Sequence, residues 1–481
     1  MNFKSLLILC LISFYGLQTD AQNRIIGSEF YIHLEQIDGI WWLLVNADGE
    51  KFISTGMNHM ADYIRFAPHN HDFWSEKFGG DILSNDKVNW HAEHAIKKWM
   101  DQTAKDHKDY HFNTIAFHRP MQLPDVYFNE LGIYYLGKIK TAQIHANRVR
   151  KLGVKFPDVF SAEFKKHAES VSKNYCSKHK GSKYLIGYTY DDLPSYSFEV
   201  YNKRLKYSKK DKNGLEFHPW VLDLINVDQM TAGKQVWIDI LKEHYSSPQH
   251  VALNYNLNAY SWKEIAQISN WKRPDNIEKW IADQTEMSKR IIEKWHQINR
   301  DAILKYDPNH LILGDKISCH GNGHPDWVYE IAGKYVDVLL IQDFEFFKPS
   351  HVKKLNRFYK LSGKPILNGD HAYGYTTPEM EKAKGIPVES HAAIGEEYTT
   401  YLKGIMNLPY MVGWLYCGYL EQWKGGNLDN TGKQQTGMFD PFGNPRSDAL
   451  EQVKKANKEA ILWHENAGKN DLEFSKRNLK Y

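Results

Sequence analysis

The chain has 481 residues and a 42% hydrophobic share, enough for a sizeable core in one barrel-sized domain. Its formal net charge of +3 excludes an overall strongly basic chain, so nothing global points to nucleic acid or an anionic membrane surface. No Gly-rich phosphate turn follows an early strand, so a dinucleotide-binding sheet is set aside and no cofactor is expected.

Lys4 precedes an apolar run from Leu6 to Leu17, and Thr19-Asp20-Ala21 supplies small residues before Gln22. This reads as a signal peptide over residues 1–21 and a periplasmic or secreted product. The run is too short to span a bilayer, and no later segment reaches about 18 uninterrupted apolar residues. Cleavage would leave Cys176, Cys319 and Cys417, an odd set without paired spacing, which argues against a disulfide framework.

Residues 22–50 alternate apolar and polar side chains around two Asp-Gly turns and predict an N-terminal β-hairpin segment. Eight strand-like runs follow within residues 51–465. They are 52–58, 112–118, 132–137, 184–190, 310–316, 336–342, 364–370 and 410–417. Helical faces fall between them: Ala92, Ile96, Trp99 and Thr103 on one, Phe164, Ala168, Val171 and Tyr175 on another. The alternation predicts an α/β fold, a (β/α)8 TIM barrel, with a long elaborated segment after strand 4 holding helices near 228–245 and 276–304. Residues 466–481 are rich in Lys and Asn and are expected to be a frayed tail.

Active sites of such barrels lie at the C-terminal ends of the strands. The residues there are Asn58 and His59, His118 and Arg119, Asp191 and Asp192, Lys316, Gln342 and Asp343, Asp370 and His371, then Tyr416, Glu421 and Trp423. Cations and imidazoles around a few carboxylates suit an anionic sugar, because each buried negative group needs a paired donor. Any one of these histidines is more commonly solvated or satisfied by backbone; the cluster as a whole is less easily explained that way. His320 and His324 have a spacing found in metal sites, but no third ligand is fixed and no metal is expected.

Together, LEQIDGIWWLLVNADGEKFISTGMNH, FNTIAFH, FPDVFSAEF, YLIGYTYDDLP, KPILNGDHAYG and VGWLYCGYLEQW resemble the agarase-type barrels of clan-A glycoside hydrolases over most of the mature chain. In that family strand 4 ends in a pattern like Asp-Asn-Glu-Leu-Pro, whose Glu is the acid/base, and strand 7 in Gly-Glu-Phe, whose Glu is the nucleophile. Alignment on Leu193 and Pro194 puts Asp192 at the first Glu, and Asp370 stands at the second. Retaining enzymes hold their carboxyl groups about 5–5.5 Å apart. Two shortened side chains would widen that gap by about 2 Å on a fixed backbone, which removes the usual covalent route.

The altered carboxylates and the basic mouth therefore suggest another reaction, like that of the dehydratases of ulvan-digesting marine bacteria. The expected enzyme is a carbohydrate-active lyase. It eliminates water from the non-reducing-end uronic acid of ulvan-type algal oligosaccharides and leaves a 4,5-unsaturated uronyl end. Asp192 and Asp370 are the expected acid/base groups, with His371, Tyr188 and Tyr373 as proton-transfer partners. Arg119 or Lys316 would clamp the carboxylate, while Asn58, His59, His118, Gln342 and Trp423 would shape the sugar subsite. The alternatives are an agarase-type glycoside hydrolase and a sugar-binding barrel without catalysis. The expected partner is an acidic algal oligosaccharide; sequence leaves the oligomeric state open.

Overall fold

The computed structural model describes residues 24–45, 48–116, 118–120, 122–124, 126–141, 156–190, 196–209, 215–426 and 434–478. The predicted signal peptide and both Asp191 and Asp192 lie outside the described residues.

All eight predicted barrel strands form. They are Ser54–Met57, Thr114–Ile115, Tyr134–Lys138, Leu185–Thr189, a fifth in two pieces (Leu311–Gly314 and Ile317–Ser318), Leu339–Gln342, Ile366–His371 and Met411–Tyr416. Every ladder among them is parallel. The two pieces of strand 5 stand at opposite ends of the strand order, so a sheet that begins and ends on one chain segment curls round into a barrel. Gly314 makes the split: its φ of +70° leaves the extended region, and a Cβ there would lie 2.6 Å from Val336. Asp315 and Lys316 occupy the gap, and that gap is what aims Lys316 at the axis.

Runs such as LIGYT and MVGWLY are buried at every position because helices cover the outer face while side chains fill the interior. Gly187 in strand 4 has a packing reason. A Cβ there would sit 2.3 Å from the Leu311 carbonyl oxygen of strand 5.

The helices follow the predicted faces. Glu93–Asp109 buries Ile96, Trp99 and Thr103, and Ala162–His179 starts at Ser161, whose side chain accepts from Phe164 N. Before the barrel, Arg24–Ile26, His33–Ile37, Ile40–Val45 and Glu50–Phe52 form a four-stranded antiparallel sheet.

Between strands 4 and 5 lie the helices Phe198–Lys209, Pro219–Ile225, Ala232–His244, Pro248–Tyr255, Trp262–Gln267 and the long Ile277–Leu304. Asp283 on the long helix ties three of these segments together. It accepts from His244 Nδ1 (2.5 Å), Tyr245 OH (2.8 Å) and Tyr255 OH (2.6 Å). Asp283→Ala strands two buried hydroxyls, so a stability loss of about 2–4 kcal/mol is expected in denaturant unfolding.

Residues 466–478 pack against the barrel, unlike a frayed tail. Phe474 stacks on Phe347, Ser475 is buried, and Arg477 bonds Glu389, Glu396 and Glu397. Among the described residues no helix is long and apolar enough to cross a membrane.

Candidate active site

Asp370, at the end of strand 7, is the centre of the barrel mouth. Its Oδ2 accepts from Lys316 Nζ of the split strand 5 and from Gln342 Nε2 of strand 6 (2.9 Å). Lys316 Nζ also reaches His118 Nε2 beyond strand 2, at 2.9 Å, so one ammonium bridges the carboxylate and the imidazole. His118 Nε2 lies 3.4 Å from Asp370 Oδ2. With Lys316 donating to both atoms, we assign Nε2 as an acceptor and His118 as the neutral ring. His59, after strand 1, stacks on His118 with centroids 4.8 Å apart and planes 12° from parallel.

Burial and charge set the protonation states. Burial alone would push the Asp370 carboxyl up, but the Lys316 ammonium beside it outweighs burial and holds the group well below the usual carboxylate range. Burial lowers His118 to about 4, helped by Lys316 and opposed by Asp370. His59 is also held well below its ordinary value, by burial first and then by His118. Among the described residues in contact around Asp370, neutral pH thus leaves a carboxylate, the Lys316 ammonium and two uncharged imidazoles.

Cys417, directly after strand 8, completes the floor. Its Sγ, a His59 ring nitrogen and an Asp370 oxygen lie within 4.8 Å of one another, the one such trio among the described residues. The trio does not suit a cation. Lys316 already holds Asp370, the Lys384 charge acts on both His59 and Cys417, and burial followed by the Asp370 charge keeps the thiol protonated. Incubation with a strong chelator is expected to leave both turnover and melting temperature unchanged; loss of either would contradict this reading. His320 is exposed against Phe344, whereas His324 is buried against Tyr196.

Of the residues expected at the site, Asp370, His59, His118, Lys316 and Gln342 therefore converge. Several others take different places. Strand alternation turns His371 outward, where it contacts Tyr401 and Trp414 and bonds the Glu345 carbonyl; burial lowers it to about 3. Tyr188 also points outward, to Tyr175 and His310, and its hydroxyl donates to Asp307. Tyr373 is fully buried and donates to the Glu397 carbonyl. Burial and, for Tyr373, the Glu397 charge raise both phenols far above physiological pH, so neither suits proton transfer with a sugar in the mouth. Arg119 packs over Phe128 and Tyr135 and donates to the Leu136 carbonyl. Asn58 is fully buried with both ends of its amide engaged, so it shapes no sugar contact.

Trp423 belongs to a second group on the rim. Its Nε1 donates to Glu421 Oε2 (2.7 Å), and its ring stacks against His69 at 6.1 Å. Glu421 is fully buried and accepts also from His391 (3.0 Å) and from Arg446 Nε and Nη2 (2.8 and 2.5 Å). Burial raises its carboxyl, yet these donors hold it below its ordinary value, as a fixed support for the Trp423 ring. Cys417 was readable as the last residue of the predicted strand-8 run, 410–417. Lys384 was not, because its place depends on how the 375–387 loop returns, pinned by Lys384 N to Gln434 O (2.8 Å).

No family model matches the chain. In sequence it is 21% identical to beta-agarase B of Vibrio sp. (strain JT0107), across 94% of this chain and 50% of that protein. The chain thus spans about half the length of the curated relative it matches. Solved structures that share its architecture include the following three. PfGH50B superposes with a TM-score of 0.68 at 16% identity, covering 92% of this chain and 68% of that one. The agarase AgWH50C gives 0.69 at 15%, covering 92% and 66%. An exo-beta-agarase gives 0.68 at 17%, again covering 92% and 66%. At these identities the likeness establishes the barrel fold.

Proposed function

We propose that the chain is a carbohydrate-active enzyme that takes a uronate-terminated algal oligosaccharide into the Lys316–Asp370 mouth and eliminates water from its terminal sugar. One observation carries this reading: the carboxylate at the strand-7 position is held by a buried ammonium, with the stacked His59 and His118 rings beside it. Elimination needs an unprotonated base for the C5 proton and a cation near the uronate carboxylate as charge builds on it. His59, half-open to the mouth, is the base in this scheme, and Lys316 is the cation. The C5–H electron pair becomes the C4=C5 double bond, the C4–O bond breaks, and the hydroxyl leaves as water on taking a proton. Asp192 is assigned as the donor of that proton. The ulvan-type substrate and a secreted or periplasmic setting belong to the same proposal.

The comparisons favour a second reading, agarase-type hydrolysis, over elimination: the likeness to beta-agarase B runs along 94% of the chain, and nothing in the comparisons points to a lyase. Hydrolysis is also favoured by Asp370 Oδ1, which is buried with no described hydrogen-bond partner and could act as a nucleophile.

Purified protein incubated with uronate-terminated ulvan oligosaccharides and with agar oligosaccharides separates the two. Elimination is expected to raise ultraviolet absorbance on the first substrate without shortening it. New reducing ends without that absorbance would establish the hydrolase instead, and saturable binding without either product would leave a sugar-binding barrel.

A further inference from the structure

Asn58 is fully buried and follows strand 1 immediately before His59, a residue held at φ +63°, outside the region most side chains prefer. All four of its polar groups are engaged, each with a segment that carries part of the mouth. Its backbone N donates to Tyr416 O (2.7 Å), next to Cys417, and its backbone O accepts from Tyr419 N (3.0 Å). In the side chain, Nδ2 donates to Gly369 O (2.8 Å), next to Asp370, and Oδ1 accepts from the His118 backbone N (3.3 Å). The His59 backbone N in turn donates to His118 O (3.0 Å). No other strand-end residue described here joins the segments of His59, His118, Asp370 and Cys417 at once.

We propose that Asn58 is the positioning residue of this site: its amide fixes the His59–His118 stack against Asp370 and touches no substrate. The inference rests on the mouth being the reaction centre. Leu at this position would fill the space and Ala would leave it empty, but either would leave the Gly369 carbonyl and His118 amide without their partner, and the two segments would settle independently.

The matched comparison is Asn113, which ties the same strands 1 and 2 at their other end. It accepts from Thr55 N (2.9 Å) and donates to Ile53 O (2.8 Å). Asn58→Ala and Asn113→Ala are expected to lower the melting temperature by similar amounts. Only Asn58→Ala is expected to cut kcat, by about a hundredfold, the scale set by a misplacement near 1 Å, with KM within about threefold. Crystal structures of both variants give a readout independent of turnover: the imidazole stack should separate or rotate in Asn58→Ala and persist in Asn113→Ala. An intact stack and near-normal kcat in Asn58→Ala would overturn the proposal. If the native enzyme turns over neither class of oligosaccharide, the functional reading fails, and the crystal comparison still decides the role of Asn58.

Discussion

Lys316→Met is expected to lower kcat/KM on a uronate-terminated oligosaccharide by about 10³-fold or more, the largest effect of any single change in the mouth. An electrostatic group aimed at developing charge is worth roughly 10²–10³ in rate, and loss of a charge-assisted contact to the substrate adds to it. The same change leaves Asp370 buried beside Gln342 with no cation in contact. Breaking one side of a buried ion pair costs about 3–5 kcal/mol, so the variant is expected to melt early as well. The two losses can be separated. Lys316→Met combined with Asp370→Asn removes the uncompensated charge and is expected to recover most of the stability while remaining inactive. A double variant that recovers turnover with stability would show that the pair is structural and that the chemistry lies elsewhere.

The second large effect is a loss of stability in mild acid that originates in histidines. Four buried rings have folded pKa values far below the unfolded value near 6.5: His107 and His118 at about 4, His296 and His371 at about 3. Burial is the leading cause in each. A histidine lowered in this way stabilises the fold fully above 6.5 and loses that contribution as pH falls toward its folded pKa, because only the unfolded chain takes up the proton in between. The interval from 6.5 to about 4 is worth at most about 3 kcal/mol for each of His107 and His118. Asp370 acts in a different window. Its folded pKa is depressed, so its contribution is present above the unfolded carboxylate value near 3.9 and drains only below that. Urea midpoints measured at pH 7, 5.5 and 4.5 are therefore expected to fall steadily. A flat profile down to pH 4.5 would contradict the assignment of neutral buried imidazoles.

The barrel was legible because its strands are buried on both faces and read as unbroken apolar runs. Each run yields both a strand and, at its end, a candidate site residue. That rule named Asp370, His59, His118, Lys316 and Gln342, which the structure brings together around one ion pair. His371 and Tyr188 were misplaced for want of the period of two: once Asp370 faces the axis, its neighbour must face the helices. Tyr373 and Arg119 lie just past strand ends, where the chain turns and strand parity no longer fixes direction. Asn58 was taken for a sugar contact because an amide can bind sugar or backbone equally well, and only its four partners distinguish the two. The split of strand 5 rests on Gly314, and a glycine in a strand-like run has too many explanations to show a break in advance. Lys384 arrives from a loop, and loop returns carry no periodic signal.

The most direct test is a crystal structure with a uronate-terminated oligosaccharide whose terminal sugar lacks the C4 hydroxyl and cannot eliminate water. The terminal carboxylate should rest within hydrogen-bonding distance of Lys316 Nζ, with C5 facing His59. A terminal sugar seated outside the barrel mouth, or one whose carboxylate turns away from Lys316, would contradict the account.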